Sequence, residues 1–215
     1  MKQSNIEIID TLEYEKRFLV QGSQFIAGMD EVGRGSLAGP VVVACVVMPL
    51  QEDKIIQGIK DSKQLSSKRR EDLFDKITTT ATECVVMMAN AQEIDTLNIL
   101  NATKSCMKKA IDSLKNCDIV LVDAVKLSDT KIPTFSIIKG DAKSYCIAAA
   151  SIVAKVIRDR LMEDQDKLYP EYYFKDNKGY GTAKHIEALR TYGPCILHRK
   201  TFIKNFFQPK QESFL

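Results

Sequence analysis

Between Phe25 and Val47 the chain reads FIAGMDEVGRGSLAGPVVVACVV, two apolar runs separated by two adjacent acids and three glycines. Phe25–Met29 has the length of a buried strand and Val41–Val47 is rich in β-branched residues, so the stretch predicts strand, functional turn, strand. Asp30 and Glu31 then fall where the first strand ends. Ionised carboxylates at the end of a buried strand need a partner that replaces their lost hydration, and a divalent cation is such a partner. Side chains alternate across a regular strand, so both acids reach one ion only if the chain kinks, which the glycines immediately afterwards permit. An isolated Asp-Glu pair reads more simply as an acidic turn open to water. Here Gly33-Arg34-Gly35 follows, bare backbone around one guanidinium, which suits a phosphodiester or a sugar hydroxyl and favours a site.

The chain is long enough, at 215 residues, for one sizeable core with a small appended subdomain, and its 45% hydrophobic content argues for a folded globule. A net charge of +3 allows a polyanionic partner without demanding one. The six cysteines, Cys45, Cys84, Cys106, Cys117, Cys146 and Cys195, show no paired metal-ligand spacing and mostly lie in apolar runs or helical patterns. Buried free thiols in a reducing compartment are the expectation. The N-terminal MKQSNIEIIDTLEYEKR is broken by charges, unlike a signal peptide, and no run is long enough to span a bilayer, so a cytoplasmic protein with no membrane contact is expected.

Along the chain, Ile8, Leu12 and Leu19 predict a short amphipathic entry helix within Ile6 to Leu19, ending at Gly22. Ser66 is placed to cap a helix with Leu73, Phe74 and Ile77 on its apolar face, and Glu83–Met88 reads as a third strand. Ile99, Thr103, Cys106, Ala110 and Leu114 recur at helical spacing. Asp118–Val122 is a fourth strand delivering Asp123 at its end, and Thr134–Ile138 is a fifth. From Ser144 the stripe Ile147, Ala150, Ala154, Ile157 and Leu161 predicts a long helix, with Asp141 just ahead as a cap partner or a metal ligand. Thr182 is placed to cap a last helix that Gly193-Pro194 stops. Asp159 reads as exposed or salt-bridged, and His185 and His198 as structural hydrogen-bonding groups. Strands alternating with helices after three early strands indicate an α/β fold with a mixed sheet covered on both faces.

DEVGRGSLAGPVVVA resembles the opening signature of the bacterial type 2 ribonucleases H, the ribonuclease HII family. Further matches follow in the family's order: DSKQLS at Asp61–Ser66, EIDTLNILNAT at Glu93–Thr103, LVDA at Leu121–Ala124, KGDAKSYCIAAASIVAKVIRDRLM at Lys139–Met162, GYGTAKH at Gly179–His185 and HRKTF at His198–Phe202. The resemblance implies a ribonuclease H-like fold, a five-stranded mixed sheet flanked by helices. It also implies one catalytic domain over residues 1–215, with a helical C-terminal extension over about 165–205. By the same resemblance Asp30, Glu31, Asp123 and Asp141 are the four catalytic acids, with Asp30 shared between two ions. Oxygen-only ligation selects Mg²⁺ or Mn²⁺, and two such ions roughly 3.5–4 Å apart suit an in-line phosphodiester displacement. The implied activity is hydrolysis of the RNA strand of RNA–DNA hybrids, and cutting 5' of a ribonucleotide embedded in duplex DNA to leave a 3'-hydroxyl. Gly33, Arg34 and Gly35 would grip the ribonucleotide, Lys63 would contact the substrate backbone, and Tyr180 would stack on the neighbouring deoxyribose.

Two other classes are weighed against this. A glycine-loop nucleotide hydrolase would need a P-loop Lys and Ser or Thr, whereas Pro40 follows Gly39. A non-catalytic hybrid-binding module would have to tolerate clustered acids that repel phosphate. The last residues, 208–215, read as a flexible tail. Gln211 and the terminal Phe214-Leu215 loosely resemble peptides that dock on a replication sliding clamp, without their usual leucine, and the protein is expected to be a monomer.

Overall fold

The computed structural model describes residues 11–206. Five strands form one sheet in the order β3-β2-β1-β4-β5, where β1 is Ile26–Val32, β2 Val41–Val47, β3 Glu83–Ala89, β4 Ile119–Asp123 and β5 Thr134–Ile137. β1, β2 and β3 pair antiparallel, whereas β4 and β5 join β1 in parallel. This is the mixed sheet expected. The first strand, however, does not stop at Met29: Asp30, Glu31 and Val32 stay paired with Ala44, Val43 and Val42. The acids lie within the strand, because β2 supplies backbone partners past the point where the apolar run ends.

The helices are α1 (Glu13–Val20), α2 (Ser67–Thr80), α3 (Ala91–Leu97), α4 (Ile99–Ser113), α5 (Tyr145–Leu168), α6 (Phe174–Asn177), α7 (Ala183–Tyr192) and α8 (Lys200–Ile203). Ser66 and Thr182 cap α2 and α7 as expected. The entry helix begins at Glu13, and the start expected for it at Ile6 lies outside the described residues. α3 is not indicated by apolar periodicity. A capping box between Asn90 and Glu93 starts it, and such a box does leave a trace in sequence. Ser144 is the cap of α5, which leaves the Asp141 carboxylate free of that duty.

Alternation along β2 divides the core. Val41, Val43, Cys45 and Val47 face α4, while Val42, Ala44 and Val46 face α5 and α2. α5 lies directly on β1, and a Cβ at Gly28 would come within 1.9 Å of the Cys146 carbonyl carbon, so only glycine permits this approach. All six cysteines are free, but only Cys45, Cys106 and Cys146 are buried. Cys84 is exposed on β3, one of the two edge strands.

Candidate active site

The parallel register of β1 and β4 sets Met29 opposite Val122, so the next residues, Asp30 within β1 and Asp123 at the end of β4, lie level on adjacent strands. Met29 and Val122 both pack toward α4. By alternation the two acids therefore turn to the other face, toward α5. There a short 3-10 turn, Gly140–Ala142, presents Asp141 immediately before α5. One carboxylate oxygen from each of Asp30, Asp123 and Asp141 lies within 4.8 Å of the others. Glu31 is not among the oxygens that meet within 4.8 Å, although its charge is felt by Asp30 and it in turn feels those of Asp123 and Lys63. Its partner is Arg34, whose Nη1 is 3.2 Å from Oε1, and its Oε2 is buried without a hydrogen bond.

The trio is electrostatically uncomfortable. Burial raises the Asp30 carboxyl well above its ordinary range, and the charges of Glu31, Asp123 and Asp141 raise it further. Burial likewise raises Asp123 and Glu31, against the Gly140 N–H that donates to Asp123 Oδ1 at 2.7 Å and the guanidinium beside Glu31. Lys63 Nζ stands 3.3 Å from Asp141 Oδ2 and is largely exposed. Converging oxygen donors whose mutual repulsion is left largely uncompensated fit a hard divalent cation, Mg²⁺ or Mn²⁺.

Beside the acids, residues 33–40 are held from behind by two guanidiniums with no solvent exposure, Arg158 of α5 and Arg199 just before α8. Arg158 donates to the carbonyls of Pro40, Ala38 and Lys178 and to Ser36 Oγ, at 2.7–3.2 Å. Arg199 donates to the carbonyls of Gly33, Arg34 and Gly39, at 2.7–3.1 Å. Gly33 is required here twice over: its φ is +93°, and a Cβ would lie 2.2 Å from Arg158 Nε. Gly35 is different, since a Cβ there would meet nothing within 4 Å and its φ is not in the left-handed region. Burial lowers both arginines, Arg199 to about 9 with the neighbouring Arg158 charge contributing.

Arg158 also brings the GYGTAKH motif alongside, donating to the Lys178 carbonyl just ahead of it. The Gly179 carbonyl accepts from the amides of Leu37 and Ala38, and the Arg158 guanidinium lies 5.4 Å from the centre of the partly exposed Tyr180 ring. Reasoning from sequence missed Arg158 and Arg199. The available signal was Arg158 falling four residues after Ala154, on the buried stripe of α5. Asp159 is salt-bridged, 2.7 Å from Lys155 and 4.0 Å from Arg70. His185 and His198 are buried, with their Nε2 atoms 3.0 Å apart and hydrogen-bonded to each other.

The family model for ribonuclease HII matches residues 27–209. Ribonuclease HII of Acetivibrio thermocellus is 52% identical over 194 residues, 90% of this chain and 75% of that protein. The enzyme of Caldicellulosiruptor saccharolyticus is 48% identical, over 91% of this chain and 95% of its own. Among solved structures, ribonuclease H2 of Pyrococcus horikoshii superposes with a TM-score of 0.71 at 27% identity, covering 86% of this chain and 100% of that one. Ribonuclease HII of Archaeoglobus fulgidus, solved in complex with PCNA, gives 0.73 at 27% identity, covering 88% and 98%. A five-stranded mixed sheet whose parallel pair carries level acids, together with sequence identity near one half across nine-tenths of the chain, places this protein in the ribonuclease HII family, endoribonucleases that act on RNA–DNA hybrids.

Proposed function

We propose that the chain cuts on the 5' side of a ribonucleotide, in a hybrid or embedded in duplex DNA, by in-line phosphodiester hydrolysis that leaves a 3'-hydroxyl. The observation that carries this reading is the meeting of Asp30, Asp123 and Asp141 beside a glycine turn held by two buried guanidiniums. Asp30, Glu31, Asp123 and Asp141 would hold Mn²⁺ or Mg²⁺, with Asp30 shared, since it feels all three other acids. Bound there, two such ions supply activation of the attacking water and neutralisation of the leaving oxygen.

The remaining roles belong to the chain. The Gly140 N–H fixes the Asp123 carboxylate, and Arg34 restrains Glu31 from the solvent side. Gly35 is a glycine that the fold does not require, which fits a backbone kept bare for a sugar and its 2'-hydroxyl. Arg34 and Lys63 contact flanking phosphates, and Tyr180 stacks on the deoxyribose of an RNA-to-DNA step. Residues 1–215 act as one catalytic domain, monomeric and cytoplasmic. No helix among the described residues is long and apolar enough to cross a membrane, which is compatible with that location. The PCNA complex of the Archaeoglobus relative supports a sliding clamp as partner. The tail expected to engage it, 208–215, lies outside the described residues.

The test is a duplex DNA carrying one ribonucleotide, incubated with and without Mn²⁺, with the product ends mapped. Cleavage 5' of the ribonucleotide only with metal, leaving a 3'-hydroxyl, is expected. Metal-independent binding without turnover, or cutting on the 3' side, refutes the reading.

A further inference from the structure

α1 lies ahead of the segment that the family model matches, and it carries a charged side chain with no solvent exposure, Glu15. Glu15 Oε1 accepts from Ser144 Oγ at 2.6 Å and from the Cys146 N–H at 2.9 Å, two groups in the first turn of α5 and about 130 positions away in sequence. Its second oxygen, Oε2, is buried with no hydrogen-bond partner. Leaving water this completely is costly for a carboxylate, and packing alone would be served better by an apolar side chain. What the acid does supply is directional: it is a second acceptor at the N-terminus of α5, added to the cap that Ser144 Oγ gives the Ile147 N–H at 3.2 Å.

From that anchor a continuous path leads to the acid trio. The Ser144 N–H donates to the Gly140 carbonyl at 2.8 Å, and the Gly140 N–H donates to Asp123 Oδ1 at 2.7 Å. The turn Gly140–Ala142 thus hangs between Asp123 at one end and Ser144, held by Glu15, at the other. Asp141 sits inside that turn, without a backbone bond of its own side chain to set its place. The Tyr145 N–H donates to the Thr11 carbonyl at 2.7 Å, so the segment ahead of α1 clamps the same junction.

We propose that Glu15 is a positioning residue for the metal centre, holding the start of α5 so that the Asp141 carboxylate meets those of Asp30 and Asp123. The proposal rests on the reading of Asp141 as a metal ligand. Groups that orient metal ligands typically change metal affinity by about 10- to 100-fold. Glu15 acts through one further link, Ser144, so the low end applies.

The experiment measures Mn²⁺ affinity of the substrate-free protein by titration followed by electron paramagnetic resonance, alongside thermal unfolding. Glu15→Ala is expected to weaken Mn²⁺ binding about 10-fold. Glu15→Gln, which keeps the accepting oxygen, is expected to recover most of that affinity. In an Asp141→Asn background Glu15→Ala should add no further loss, because the carboxylate it positions is gone. Ile111→Ala, in the core on the opposite face of the sheet, serves as a stability control with Mn²⁺ affinity unchanged. If Glu15→Ala does not fold, Ser144→Ala breaks the same path and is judged in the same way. Wild-type affinity in the variant, a loss that adds to that of Asp141→Asn, or an equal loss in Ile111→Ala overturns the proposal. Unchanged affinity in Asp141→Asn alone would instead overturn the assignment of Asp141, and with it this inference.

Discussion

Asp30 shows how a single side chain can work against stability and for function. Its folded carboxyl sits well above the ordinary range through burial and three like charges, so the native state binds that proton more tightly than the unfolded chain does. The contribution of Asp30 to the stability of the metal-free protein is therefore fully present below the ordinary carboxylate range and is lost as pH rises through the folded value. Asp30→Asn should abolish cleavage yet raise the metal-free melting temperature by a few degrees, about 2–4 °C for each kcal/mol of relieved repulsion. Calorimetry with and without Mn²⁺ checks this: metal should stabilise the wild type and leave the variant unmoved, and a destabilised variant contradicts it. The two glycines of the turn make a matched pair. Gly33→Ala should destabilise the protein, since a Cβ would strike Arg158, whereas Gly35→Ala should unfold like the wild type in urea. If Gly35 is bare for the substrate, its alanine variant nonetheless loses at least about 10-fold in turnover, equivalent to about 1.4 kcal/mol of transition-state binding. Wild-type turnover would remove Gly35 from the interface.

Elements are coupled here mainly through cations and carbonyls. Arg158 leaves α5 to bind the segment 36–40 and Lys178, and Arg199 reaches Gly33, Arg34 and Gly39 from the chain just before α8. No carboxylate partner of either guanidinium is present among the described residues at salt-bridge distance; backbone carbonyls and Ser36 Oγ accept from both instead. Arg158→Met keeps the apolar stem and removes four hydrogen bonds, stranding several buried carbonyls. A loss on the order of 3 kcal/mol is expected in urea unfolding, from about 1–3 kcal/mol for each stranded group with partial relaxation. Turnover should fall in the folded variant on every substrate, because the guanidinium orders both the glycine turn and the Tyr180 segment. A loss confined to one substrate class would assign Arg158 to specificity instead.

Across the whole molecule, the parts of the C-terminal segment are held to one another by the histidine pair and its aromatic surroundings, Tyr172 and Phe174. His185 Nδ1 lies 2.9 Å from the Tyr180 carbonyl and must carry a proton there, so in the neutral pair His185 Nε2 accepts from His198 Nε2. His198 Nδ1 then accepts the Cys195 N–H at 3.0 Å. Burial, joined by His185, lowers His198 to about 4, and burial lowers His185. The unfolded chain therefore binds protons first, and stability should be lost as pH falls from about 6.5 toward about 4. His198 alone accounts for a loss on the order of 3 kcal/mol over that interval. Urea unfolding of His198→Asn across the same range should show a shallower pH slope, and an unchanged slope would place the acid sensitivity elsewhere.

Much of this architecture could be read from residue order. Strands β2 to β5, the long α5 stripe and the caps at Ser66 and Thr182 follow from periodicity and side-chain chemistry, which are local properties. The acids Asp30, Asp123 and Asp141 were visible as candidates because two of them end apolar runs and all three match a family signature. Which face each acid takes was not local. It depends on β1 continuing to Val32 and on the parallel register that sets Met29 against Val122, and a shift of one residue would have turned Asp30 away from Asp123. The separation of Glu31 from the trio, the burial of Arg158 and Arg199 behind the glycine turn, and the reach of Glu15 to α5 are likewise products of contacts between distant segments. Spacing along one segment carries no information about such contacts, because a buried charge is selected by the groups that surround it after folding.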